Sequence, residues 1–231
     1  MDALNHSNKA AELDKAFSSG ISINTRLWAD LKSQEGTTKG VIISPLTYAI
    51  RDNNFDLVSF LVDKGVDLNA YACTTPLNLA IELVNEKKID PTMIDTLIDY
   101  GADATYPDSS ANTPLVCALG LHNEELVKKL VKKGAVEFRG GAITPLGLCV
   151  QNDDKKMFDY LVSEKIDVNA RDLCGRTALT IAIQLDNDHF VKRLLESGVK
   201  TANEYEFARG QGKFKIAYMI RDHESVVNGI Y

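Results

Sequence analysis

The chain has 231 residues, 45% hydrophobic and 25% charged, enough to bury one sizeable core or two small ones. Its 26 basic and 32 acidic residues leave a net charge of −6, so no general attraction to nucleic acid or anionic lipid is expected, and neither is predicted as a partner. No apolar run reaches the roughly 18 to 20 residues of a membrane span, and Met1-Asp2-Ala3-Leu4-Asn5-His6 lacks the charged and apolar regions of a signal peptide, so a cytoplasmic location is expected.

In chain order, residues 1–24 read as an N-terminal cap, with Leu13, Ala16 and Phe17 as its apolar face and Ser19-Gly20 as its stop. Residues 25–43 read as an inserted segment. There Leu27, Trp28 and Leu31 stand at helical spacing behind Asn24 or Thr25, with Gly36 as a stop, which predicts an inserted helix.

Residues 44–202 repeat. Ser44-Pro45-Leu46, Thr75-Pro76-Leu77, Thr113-Pro114-Leu115, Thr144-Pro145-Leu146 and Thr177-Ala178-Leu179 are each followed, three positions after the Leu, by Ala49, Ala80, Ala118, Cys149 or Ala182. Positions 45, 76, 114, 145 and 178 lie 31, 38, 31 and 33 residues apart, the period of a helix-pair unit. The second half of each unit recurs as Leu61-Val62 before Gly65, Leu97-Ile98 before Gly101, Leu130-Val131 before Gly134 and Leu194-Leu195 before Gly198. Each unit is therefore expected to run from a Ser/Thr cap through two short helices to a left-handed stop. In the fourth unit Lys165 replaces the Gly, so either it adopts that conformation at a strain cost or its helix ends differently. Residues 85–90 are expected to lengthen the inter-helix turn of the second unit by five positions.

The T-P-L-x-x-A starts, the L-L-x-x-G stops and the turns Val66-Asp67-Leu68-Asn69, Ala102-Asp103 and Ile166-Asp167-Val168-Asn169 resemble the ankyrin repeat. The resemblance implies an all-α solenoid of about five repeats, with short finger turns, between an N-terminal cap and a C-terminal cap over residues 203–231. It also implies that the chain binds another protein through the concave face made by fingers and first helices. One departure is clear: the family's His after T-P-L is Thr47, Asn78, Val116, Gly147 and Thr180 here, so its hydrogen bonds between repeats are absent or replaced. Gly147 is expected to cost its helix about 1 kcal/mol relative to Ala.

Signatures of chemistry are sparse. The sequence contains no P-loop, dinucleotide fingerprint, H-E-x-x-H or G-x-S-x-G. Cys73, Cys117, Cys149 and Cys174 form no CxxC pair, which predicts reduced thiols, and Cys117 and Cys149 occupy or adjoin the small packing positions. No catalytic residue, cofactor or metal is expected; an enzyme built on a finger-loop cysteine, Cys73 or Cys174, is the reading from another class. Lys128, Lys129, Lys132 and Lys133 read as a solvated outer helix face beside Glu124 and Glu125.

The candidate contacts with a partner protein are Trp28, Tyr71, Arg51, Arg171, Arg176 and Leu173, because Trp, Tyr and Arg dominate interface hot spots and all six fall in the insertion, the fingers or a first-helix end. Trp28 beside the Tyr71 finger is the expected centre. A monomeric binding module is predicted; a bacterial effector delivered into a host cell to act on host proteins is the second reading within that class.

Overall fold

The computed structural model describes residues 38–70 and 74–227 continuously, the strand at 27–32, and scattered positions between 11 and 24. Leu13, Ala16 and Phe17 of the expected N-terminal cap lie outside the described residues. The chain divides into two compact units, Met1–Ser110 and Ala111–Tyr231.

In the first unit the described positions 11, 14, 15 and 18 are helical, and they are followed by strands β1 (Leu27–Lys32) and β2 (Thr38–Ile43), paired antiparallel with Trp28 opposite Ile42 and Asp30 opposite Gly40. This ribbon corrects the expected inserted helix. The physical reason lies in the second half of the insertion: Val41-Ile42-Ile43 is β-branched throughout, which restricts χ1 in a helix and suits a pleated pair. The helical spacing of Leu27, Trp28 and Leu31 is only three residues deep and does not outweigh a six-residue ladder.

Beyond the ribbon the described secondary structure is entirely helical. The first unit continues with α1 (Pro45–Arg51), α2 (Phe55–Asp63), α3 (Pro76–Asn85) and α4 (Thr92–Asp99). The second contains α5 (Pro114–Gly120), α6 (Glu124–Lys132), α7 (Pro145–Gln151), α8 (Lys155–Ser163), α9 (Ala178–Gln184), α10 (Asp188–Glu196), α11 (Glu204–Gly210) and α12 (Phe214–Val227). Within that unit each odd-numbered helix packs on the helix that follows it, and α5, α7, α9 and α11 stack in order.

Local chemistry sets the helix starts. Ser44, Thr75, Thr113, Thr144 and Thr177 each accept a hydrogen bond from the backbone N–H three residues on, and Pro occupies the first turn in the first four. The small residues Ala49, Ala80, Ala118, Cys149 and Ala182 are fully buried, which within each unit lets neighbouring first helices pack together. Second helices start behind Asn54, Asn123, Asp154 and Asn187 as side-chain caps.

The stops are equally regular. Gly65 N–H donates to Val62 O and Val66 N–H to Leu61 O, the paired bonds of a Schellman turn, which brings the apolar Val66 under the helix end. Lys165, at φ 62°, donates its N–H to Val162 O while Ile166 N–H donates to Leu161 O, so Lys165 carries the left-handed conformation that Gly supplies elsewhere. The five-residue insertion in the second repeat is shared between helix and turn: α3 has 10 residues where α1 has 7. Asp90 closes the lengthened turn by accepting from the Thr92 N–H and hydroxyl, and its own N–H donates to Asn53 Oδ1.

Gly147 also departs from expectation. A Cβ there would stand 2.8 Å from Thr144 Oγ1 and 2.9 Å from Ile181 Cδ1. The cap oxygen can yield: where Val116 occupies the same helix position, the capping bond stretches to 3.4 Å, against 3.0 Å at Gly147. Ile181 is buried in the core of α9 and has less freedom. Gly147→Ala is therefore expected to destabilise the second unit despite the better helix propensity of Ala. Paired with Ile181→Val, which removes the crowding methyl, it should cost less than the two single changes added together. Denaturant midpoints of the four variants measure that coupling, and strict additivity would contradict it.

Candidate protein-binding surface

The best-defined finger is residues 171–176, between α8 and α9. Asp172 is its hub, with a side chain that is 0% exposed. Its Oδ1 accepts from the backbone N–H groups of Cys174 and Arg176, and its Oδ2 accepts from Arg176 Nε at 2.8 Å. Asp172 N–H donates to Arg176 O and Gly175 N–H to Asp172 O, closing the turn, while Leu173 N–H reaches Gly141 O in the preceding finger. Arg171 Nη1 donates to Gly175 O at 2.9 Å. The side chain of Leu173 is left standing outward, 70% exposed, the highest value among the large apolar residues described. An aliphatic side chain held in water on a hydrogen-bonded loop is available for burial at little further ordering cost.

The structure thus brings three of the six sequence candidates, Arg171, Leu173 and Arg176, onto one turn. Arg176 is half-buried and committed to Asp172. Arg51 is exposed at the end of α1 in the other unit. Trp28 lies in β1, and Tyr71 lies outside the described residues.

Arg51 belongs to a charged neighbourhood on the first unit. The Glu82 carboxyl is held above the usual carboxylate range, chiefly by burial and then by Asp108 and Glu86, with Arg51 opposing. Asp108 in turn accepts from Asn78 Nδ2 at 3.2 Å, so Asn78 replaces the family's His with a different hydrogen bond. Because the folded carboxyl titrates above its unfolded value, the native state takes up this proton first as pH falls. The group therefore favours folding below its unfolded pKa and loses that contribution as pH rises through the folded one. Glu82→Gln is expected to raise the melting temperature at neutral pH and to narrow its advantage on mild acidification; an advantage that grew on acidification would refute the sign.

On the outer helices of the second unit several cations have local partners. Lys156 reaches Glu124 at 2.7 Å, Arg193 reaches Asp159 at 2.7 Å, and Lys215 pairs with Asp188. Lys128 approaches Glu124 at 3.8 Å and lies 5.9 Å from the centre of the Tyr160 ring. The hydrogen bond from Lys156 is the main reason that Glu124 titrates below the usual range. For Lys128, pairing of this kind is what a solvated helix face shows.

One exposed surface escaped the sequence reading. Phe214 and Tyr218 on α12 are both more than half exposed, at the positions that carry Glu124 and Lys128, Lys155 and Asp159, and Asp188 and Lys192 on the preceding outer helices. Aligning the outer helices by phase is the signal that finds it. The Arg221 guanidinium sits 4.8 Å from the Tyr218 ring centre.

The thiols divide by environment. Cys149 is buried, and desolvation, with the nearby Asp154, pushes its thiol up to about 12, which marks a packing residue. Cys117 is half-buried and Cys174 exposed, while Cys73 lies outside the described residues. Among the described residues no three His, Cys, Asp or Glu side chains gather as metal ligands. No helix there is long and apolar enough to cross a membrane.

Comparison with known proteins places this geometry. The family model for ankyrin repeats (three copies) matches residues 46–139, 85–172 and 139–205, well over half of the chain. An ankyrin repeat protein of Borreliella burgdorferi is 33% identical over 93 residues, which are 39% of this chain and 40% of that protein. The ankyrin repeat protein FPV242 of fowlpox virus is 31% identical over 130 residues, 55% of this chain and 32% of its own length. The human transient receptor potential cation channel subfamily A member 1 is 34% identical over 169 residues, 68% of this chain but 15% of the channel. The chain thus spans well under half the length of these relatives. Ankyrin repeats as a class mediate protein–protein binding and are typically non-enzymatic. Capped helix pairs, buried small residues and the family match together show that the chain belongs to the ankyrin-repeat family.

Proposed function

We propose that this chain is a non-enzymatic module that engages another protein through its fingers and first-helix ends, with finger 171–176 as the principal contact in the second unit. The observation that carries the reading is Leu173, 70% exposed on a loop whose backbone is tied by Asp172. Arg51, and the segment holding Trp28 and Tyr71, are the contacts assigned to the first unit. The free thiols of Cys149 and Cys174 support action in a reducing compartment such as a cytoplasm.

A photo-cross-linking amino acid placed at position 173 is expected to give a defined protein adduct in cells of the source organism. The same probe at position 132, on the outer face of α6, is expected to give none. Adducts from 132 with none from 173 would move the interface to the outer helices and overturn the assignment.

A further inference from the structure

The six arginines between residues 111 and 227 are not equivalent. Arg139, Arg176, Arg193, Arg209 and Arg221 each lie 2.7 to 3.3 Å from a carboxylate oxygen. Arg171 instead donates to the carbonyl of Gly175 and, among the described residues, meets no carboxylate. That bond ties its side chain to the turn that presents Leu173, while the rest of its five-donor fork stays open.

The pairing of these two side chains restricts what can dock. Burying Leu173 is favourable, but a partner covering it also desolvates the neighbouring guanidinium, and an uncompensated charge opposes binding. A carboxylate brought to Arg171 turns that penalty into a two-pronged, charge-assisted contact. The net charge of −6 acts against an acidic partner at long range, but at physiological ionic strength it is screened beyond about 8 Å, so the local guanidinium decides.

Building on the finger-binding reading above, we propose that finger 171–176 recognises a segment of another protein in which an apolar side chain stands within two residues of an Asp or Glu. Leu173 receives the apolar group and Arg171 the carboxylate. Arg176, held by Asp172, keeps the turn in shape and leaves recognition to the other two.

Selection of a random peptide library displayed on phage, with the full chain as bait, tests this. An Arg171→Gln, Leu173→Ser double variant that melts like the parent serves for counter-selection. The expected enriched peptides pair an aliphatic or aromatic residue with a nearby carboxylate, and Arg171→Gln weakens them about ten- to a hundredfold. With Arg171→Glu as bait, Lys or Arg should replace the acidic residue. Peptides that need Leu173 yet show no acidic bias would overturn the charge-pairing inference and leave the finger-binding reading standing. Peptides that bind the double variant as well as the parent, or no enrichment at all, would overturn the inference, and the former would remove finger 171–176 from the interface as well.

Discussion

Phe158→Ala is expected to lower the stability of the second unit by about 3 to 5 kcal/mol, as deletions of buried rings do. Phe158 is wholly buried on α8 and meets Phe190 of α10 edge to face, with ring centres 5.0 Å apart at 63°. The change removes apolar burial, the aromatic contact and the filling of a space that two packed helices cannot collapse into. Because each repeat leans on its neighbours, the loss should also split the unfolding transition, with the segments on either side melting separately. Phe158→Leu, which conserves most of the volume, should cost less than about 1.5 kcal/mol. Denaturant titration followed by circular dichroism distinguishes the two, and equal midpoints for Ala and Leu would show that the site is not close-packed.

Asp172→Ala is expected to cost about 2 to 4 kcal/mol, from the loss of charge-assisted hydrogen bonds to a buried carboxylate and the exposure of two unmet backbone donors. Asp172→Asn retains an acceptor oxygen for the Cys174 and Arg176 N–H groups and should cost roughly half as much. The effect should be local. Hydrogen exchange at the Leu173 amide, which donates to Gly141 O, is expected to accelerate far more than exchange in α9, and a uniform acceleration across the unit would contradict the role of Asp172 as a loop hub. Partner binding should fall with finger order even though Leu173 and Arg171 remain.

The repeats were legible because the residues that set them act locally. A Thr-Pro-Leu start and a Gly or Lys stop are decided within one helical turn, so their recurrence reads directly as helix pairs. The ribbon at 27–43 was not legible, since Leu27 and Trp28 are strand residues only by virtue of partners more than ten positions away. Gly147 misled for a related reason: helix propensity is local, whereas the space above it is filled by Ile181 from the next repeat. Position within the finger was enough to make Leu173 and Arg171 candidates, and the structure adds that Leu173 is exposed and Arg171 donates to the Gly175 carbonyl. The Asp172-x-x-Gly175-Arg176 pattern carried the further information that Arg176 closes the turn.

The outer-face pairs bear on how this array can be inherited. The first residue of α6 pairs with the second of α8, the fifth of α8 with the sixth of α10, and the first of α10 with the second of α12. Each junction therefore carries its own charge code. Excising the α7–α8 repeat would join α6 directly to α10, setting Glu124 against His189 and Lys128, now without Tyr160, against Arg193. Recombination could delete a unit of the correct length and helix phase and still produce a mismatched seam. The repeats are alike in backbone but not interchangeable in order, and shuffled versions of this chain should lose stability at low ionic strength and recover part of it as salt screens the new like-charge contacts.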